Sequence, residues 1–208
     1  MSGPLKLGLS GPIGCGKSTV LGWLADRGAM VIDADQVARE VTAPGTAVAA
    51  AILAAFGPGV AGPAGGLDRA ALAAIVFSDP AQLERLELIT HPVVRERILA
   101  AIRAAEANEV LIVALEAIRL VEAGYPALLD EVWLITCDPA EQRRRLADRG
   151  LSEADAVARI ESQAGLADRV QSVATRRIDT SGTLVEAEAR VAGALAEALA
   201  ARAGSAAG

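Results

Sequence analysis

The sequence predicts an α/β fold: a three-layer α/β/α arrangement around a parallel five-stranded sheet, with a helical substrate-binding insert and a helical lid. Three observations predict it. Short apolar runs alternate with stretches of helical periodicity, the pattern of a parallel sheet covered on both faces. A glycine-rich turn carrying a lysine joins the first run to the first helix. Residues 37–105 show no strand pattern, and that gap is too long for a simple crossover between neighbouring strands. At 208 residues the chain can bury one sizeable core, but not two large domains.

Leu5-Lys6-Leu7-Gly8-Leu9-Ser10 reads as a short buried strand. It runs into Gly11-Pro12-Ile13-Gly14-Cys15-Gly16-Lys17-Ser18, with Thr19 behind it, which fits the phosphate-binding pattern G-x-x-x-x-G-K-[ST]. Each residue type has a physical task. The glycines let the backbone curl until several N–H groups face one anion. Lys17 bridges the outer phosphates, and the Ser18 hydroxyl suits Mg²⁺. The helix that starts here adds partial positive charge and free donors.

A second buried strand over residues 29–33 leads into Asp33-Ala34-Asp35. Ligands of open α/β sheets sit beyond the carboxyl ends of strands. Asp33 and Asp35 are therefore candidates for metal contact or proton abstraction, and equally for capping the helix that follows. Within the insert, Pro44-Gly45 is a turn, and a helix over 48–56 stops at Gly57-Pro58-Gly59. Residues 61–66 form a loop or hairpin tip, and Asp68 caps a helix to Phe77. Asp79-Pro80 starts another helix to about Ile89; His91-Pro92 breaks the chain before a long helix over 93–105.

A third strand over 110–115 ends at Glu116, an acid placed like the metal-side acid of phosphate-loop enzymes. A fourth covers 131–136, and Pro139 takes the first position of the next helix. Ser152 and Asp155 form a capping box for a helix to Ala164. The hairpin over 141–168 concentrates arginines, among them Arg143, Arg144, Arg145, Arg149 and Arg159, with Arg169 just beyond. Such a lid closes over a triphosphate, excludes water and stabilises charge on the transferring group. A short strand over 177–179, a turn over 180–183 and a helix over 184–200 complete the chain, with a disordered tail from Arg202.

Composition narrows the function classes. The net charge of −6 argues against nucleic acid as the main partner. The chain starts directly at its first strand and holds no apolar run of membrane-spanning length, so a cytoplasmic protein with no membrane contact is expected. Two cysteines, Cys15 and Cys137, make no disulfide framework and, with one histidine, no zinc ligand set. Nothing calls for an obligate protein partner. The Cys15 thiol sits near a helix N-terminus, which favours the thiolate, so oxidants are expected to block nucleotide binding there.

The residues resemble the dephospho-coenzyme A kinase family from Leu5 to about Ala200. The resemblance rests on Leu9 through Thr19, Val31-Ile32-Asp33-Ala34-Asp35 with Ala38-Arg39, Pro44-Gly45, Phe56-Gly57, and Leu67 through Leu72. It continues in Ile89 through Arg95, Leu120-Val121-Glu122, Arg149-Gly150-Leu151-Ser152, and Ile178-Asp179 with Ser181-Gly182. It implies a P-loop kinase fold and transfer of the γ-phosphoryl of ATP, with Mg²⁺, to the ribose 3′-hydroxyl of dephospho-CoA. That is the last step of coenzyme A synthesis. It also implies one domain over 1–203: a nucleotide core (1–36, 106–140, 170–201), a CoA-binding insert (37–105) and a lid (141–169), ahead of a disordered tail (204–208).

By the same resemblance Asp35 matches the general base, and Lys17 and Arg145 act on the phosphates. Gly11, Gly14, Cys15, Gly16, Ser18, Thr19 and Arg149 complete the ATP site; Asp33, His91 and Glu116 join Asp35 on the acceptor side. Some positions depart from the family pattern. Glu116 stands for the usual Asp, Ile118 for proline, Arg119 for an apolar residue, and Thr180 for asparagine beside the expected adenine site. Two other readings stay open: another small-molecule kinase on the same core, such as a nucleoside monophosphate kinase, and a GTP-binding switch. The second needs a guanine-reading Asn-Lys-x-Asp segment, but Asn108 is followed by Glu109 and no lysine lies beyond Lys17.

Overall fold

The structure is a computed structural model and describes residues 3–205. The first half of the chain runs β1 (Leu5–Ser10), α1 (Lys17–Asp26), β2 (Ala29–Asp33), α2 (Ala34–Val41), α3 (Ala47–Phe56), α4 (Arg69–Ser78) and α5 (Pro80–Ala107). The second half runs β3 (Ile112–Glu116), β4 (Glu131–Thr136), α6 (Pro139–Asp148), α7 (Glu153–Glu161), α8 (Leu166–Gln171), β5 (Arg176–Asp179) and α9 (Leu184–Ser205). The five strands form one parallel sheet in the order β2-β3-β1-β4-β5. β1 is central, paired with β3 from Leu5↔Ile112 to Leu9↔Glu116 and with β4 from Leu7↔Glu131 to Ser10↔Leu134.

The chain divides into two compact units. One comprises residues up to Ile32 and from Ala104 onward; the other is Asp33–Arg103. In the first unit the inner strands β1, β3 and β4 are covered on both faces, so they are mostly apolar rather than alternating. Leu5, Leu7 and Leu9 of β1 join Trp133, Ile135, Leu24, Val191 and Leu195 in one core. On the opposite face a Cβ on Gly8 would stand 2.3 Å from Leu129 and 2.9 Å from Leu120, so the strand leaves that space to two leucines. In the second unit α3 and α4 pack on the turn Pro58–Val60, where Val60 is fully buried. Asp68 caps α4 by accepting from the Ala70 and Ala71 N–H groups, and Ala61 bridges Leu67 to close the tip.

Three expectations are corrected. His91-Pro92 does not break the chain: α5 runs through Pro92. Proline lacks an N–H and crowds the carbonyl four residues back. Here that carbonyl belongs to Leu88, whose side chain is 71% exposed, and Pro92 is exposed too, so water can serve it. Val94, Ile98, Ile102 and Ala105 keep the opposite side of the helix buried. Next, α7 ends at Glu161, and a separate helix α8 starts after Gly165, which adopts a left-handed conformation. Last, the closing helix does not give way to a tail at Arg202. It runs to Ser205, and Arg202 holds the Asp130 carboxylate at 2.8 Å. Residues 206–208 lie outside the described residues.

Candidate active site

β1 delivers the chain into a curled loop. Gly14 (φ 79°) and Gly16 (φ 80°) take left-handed conformations, and Gly16 precedes the first turn of α1. A Cβ on Gly11 would stand 2.1 Å from the Ile135 carbonyl oxygen, which is backbone and cannot swing aside. Gly11→Ala is expected to destabilise the protein by at least ~3 kcal/mol. Denaturant unfolding checks this, and an unchanged midpoint would contradict it. Lys17 lies back along the loop, its Nζ donating to the Gly11 carbonyl at 2.8 Å and the Pro12 carbonyl at 3.3 Å. Ser18 and Thr19 are exposed on the first turn of α1, where N–H groups have no carbonyl within the helix.

The neighbouring strands set the surroundings. Glu116 ends β3 beside Leu9, and the next residue, Ala117, donates its N–H to the Leu9 carbonyl. The carboxylate of Glu116 is thus carried on the strand adjacent to the root of the loop. Its oxygens and the exposed Ser18 hydroxyl are hard donors of the kind Mg²⁺ prefers. Ser10 donates its hydroxyl to the Ile118 carbonyl at 3.4 Å, tying the segment after β3 to the end of β1.

From α6, Arg145 reaches toward the loop. Its Nη2 binds Glu141 at 2.6 Å and the Thr180 carbonyl at 2.7 Å, and its Nη1 binds the Thr180 hydroxyl at 3.0 Å. Arg149 is exposed at the C-cap of α6. Both arginines line a cavity of about 260 Å³ whose floor includes Gly16 and Thr19. Its apolar wall is Trp23, Leu184 and Ala187, with Leu184 69% exposed at the rim. A planar apolar base fits such a wall, and the arginines fit a polyphosphate leaving it. Of the other lid arginines, Arg144 pairs with Glu141 and Asp148, and Arg169 pairs with Glu122 at 2.9 Å.

Asp33, Asp35 and His91 lie in the second unit. Asp33 caps α2, accepting from the Gln36 N–H at 2.9 Å while Arg39 stands 3.6 Å from its other oxygen. Asp35 is exposed in the first turn of the same helix. The two acids therefore differ locally: Asp33 holds the helix start, and Asp35 is exposed in its first turn. His91 is half-buried within α5.

Cys15 is 2% exposed and packs in the core beside Cys137. Cys137 lies within 4.0 Å of the Gly14 carbonyl. A hydrogen bond from the Cys137 thiol, with lesser help from Lys17 and Arg145, holds the Cys15 thiol below its ordinary pKa against the opposing effect of burial. Cys137 is pushed up, first by its bond to Cys15 and then by burial.

A sequence model of the family described as dephospho-CoA kinase matches residues 5–186. The chain belongs to the dephospho-CoA kinase family. A dephospho-CoA kinase of Moorella thermoacetica is 45% identical over 193 residues, covering 92% of this chain and 91% of the relative. That of Thermobifida fusca is 46% identical over 189 residues, covering 90% and 93%. A crystal structure of a Thermus thermophilus protein superposes with a TM-score of 0.78 at 33% identity, covering 94% of this chain and 98% of the other. Dephospho-CoA kinase from Campylobacter jejuni, at 23% identity and TM-score 0.68, covers 95% and 98% and shares the fold.

The structure adds contacts at the candidate site that the sequence did not disclose. Gln142 donates to the Ile13 carbonyl and Gln163 accepts from the Ile13 N–H, both at 2.7 Å, so the lid segment grips the loop tip with two amides. Only the helical phase of Gln142, opposite the exposed arginines Arg143 and Arg144, carried a hint of it. Trp23 follows Thr19 by four residues and so shares its helix face, a spacing readable in the sequence. Cys137 and Thr180 reach the loop through β4 and β5, which no local pattern discloses.

Proposed function

We propose that this chain performs the activity of its family, ATP-dependent phosphorylation of dephospho-CoA, with the phosphate loop as its ATP cradle and Asp35 as the base for the ribose 3′-hydroxyl. The observation that carries the reading is the loop itself. A left-handed Gly14 and Gly16, a lysine folded on the loop and an acid on the adjacent strand occur together in a chain of this family.

The roles follow from chemistry. Backbone N–H groups at the end of the loop and the start of α1, those of Gly14, Gly16 and Ser18 among them, receive the phosphate oxygens. Lys17 exchanges its carbonyl partners for β- and γ-oxygens, which bind an ammonium more strongly because they are charged. Ser18 would hold Mg²⁺, with Glu116 a second candidate ligand; when bound, the ion would neutralise charge on the phosphates. Arg145 and Arg149 contact the polyphosphate from the lid, and the Trp23–Leu184 wall takes the base. On the acceptor side Asp35 orients the 3′-hydroxyl and receives its proton late, as a loose transition state requires of a base. Asp33 fixes the helix that carries Asp35, and His91 contributes to holding the acceptor. Dephospho-CoA whose ribose lacks the 3′-hydroxyl tests this reading. It is expected to bind and receive no phosphate; phosphorylation of that analogue would overturn it.

The paired thiols give a second expected result. Peroxide converts one thiol to a sulfenic acid with loss of water. The other thiol then forms the disulfide and releases a second water. A Cys15–Cys137 bond would pull on the loop and block ATP. Parent enzyme is expected to lose activity in peroxide faster than Cys15→Ser, and ATP should protect it. Equal rates of loss would remove Cys15 from the effect.

A further inference from the structure

Thr180 follows β5 and is 4% exposed. Its hydroxyl oxygen lies 2.9 Å from the Cys15 carbonyl, 3.1 Å from the Thr136 carbonyl and 3.0 Å from Arg145 Nη1. A hydroxyl has one hydrogen to give and lone pairs to receive. Arg145 can only donate, so it takes a lone pair. The Thr136 carbonyl already receives the Thr180 N–H at 2.8 Å, and the Cys15 carbonyl is the nearer of the two to the hydroxyl, so it is the stronger acceptor of the hydroxyl hydrogen. The Cys15–Gly16 peptide is planar and trans, so its carbonyl and N–H point opposite ways. Anchoring the Cys15 carbonyl on Thr180 therefore turns the Gly16 N–H away from Thr180.

The anchor is itself rigid. Asp179 accepts from both the N–H and the hydroxyl of Ser181, which holds its carboxyl below the usual range; the Ser181 hydroxyl in turn accepts from the Asp138 N–H. Arg190 donates to the Ser181 carbonyl at 3.0 Å. Thr180 thus stands on a fixed turn between the phosphate loop and the lid arginine.

We propose that Thr180 is a positioning residue for phosphoryl transfer, its buried hydroxyl locking the Cys15–Gly16 peptide and the Arg145 guanidinium into one preorganised set of donors. The inference rests on the reading that Arg145 contacts the phosphates. Where an amide side chain would occupy this position, this chain has a hydroxyl that is buried and engaged inside the protein by the Cys15 carbonyl and Arg145. Thr180 accordingly carries no base selectivity of its own, and its contribution is geometric.

The experiment compares Thr180→Val, nearly isosteric but without the hydroxyl, with Thr180→Ser, which keeps it. Arg145→Gln and the Thr180→Val/Arg145→Gln double variant complete a cycle. For Thr180→Val the KM for ATP is expected to rise and kcat to fall, with kcat/KM for ATP down roughly tenfold or more. The KM for dephospho-CoA should stay within about twofold. Thr180→Ser is expected to restore most of the loss, and Thr180→Val should cost less in the Arg145→Gln background than alone. Thr180→Val at parental kinetics, beside a crippled Arg145→Gln, would overturn the inference and leave the role of Arg145 standing. Full additivity in the cycle would overturn it too. Arg145→Gln at parental kinetics would instead sink the reading on which it rests. Should Thr180→Val fold poorly, the Ser variant decides through the pattern of its KM values: a loss shared equally by both substrates would count against positioning.

Discussion

Lys17→Ala is expected to lower kcat/KM by roughly 10²–10³-fold or more while the protein stays folded. The side chain is half-buried on the loop and satisfies the Gly11 and Pro12 carbonyls. Pro12 and Lys17 are both partly exposed, so water can take the place of the ammonium, and its removal is expected to cost little stability. In the reaction the loss is different. On the proposed assignment the ammonium would stabilise charge that spreads over the γ-phosphoryl as its bond to the β-phosphate breaks. No water supplies that fixed charge. The check is steady-state kinetics with a circular-dichroism melt on the same preparation. Turnover near the parental rate with an unchanged melt would refute the assignment of Lys17.

Asp35→Asn is expected to cost mainly turnover, roughly 10²–10⁴-fold in kcat, with ATP affinity within a few-fold of the parent. The amide keeps the size of the carboxylate and its place in the first turn of α2 but cannot accept the hydroxyl proton. Asp33 supplies the helix cap, so the substitution leaves α2 anchored. Asp33→Asn is the useful contrast, because asparagine also caps helices well. A large kcat loss at Asp33 with none at Asp35 would reverse the two roles.

Much of the first unit was legible because its elements are written locally. The run from Leu5 to Ser10, the loop, and the start of α6 at Pro139 need no tertiary partner to be read. The capping box at Ser152 is seen as written, the Asp155 N–H donating to the Ser152 hydroxyl at 3.1 Å. Pro92 misled because proline is a strong local signal, and what allowed the helix to continue was the solvent on its Leu88 face. α8 was missed because the four-residue turn between it and α7 carries a single breaker, Gly165, and glycine alone does not distinguish a stop from a pause. The candidate site residues Lys17, Ser18 and Glu116 follow from motif and strand end. Thr180, Cys137 and Gln163 do not, since each meets the loop across more than a hundred residues of chain.

The most direct test of the account is a coupled ADP-release assay with ATP and Mg²⁺, comparing dephospho-CoA with adenosine, AMP and pantetheine phosphate as acceptors. The account predicts rapid ADP release with dephospho-CoA alone and a product phosphorylated on the ribose 3′-oxygen. Preferential turnover of AMP, or ADP release indifferent to the acceptor, would contradict it.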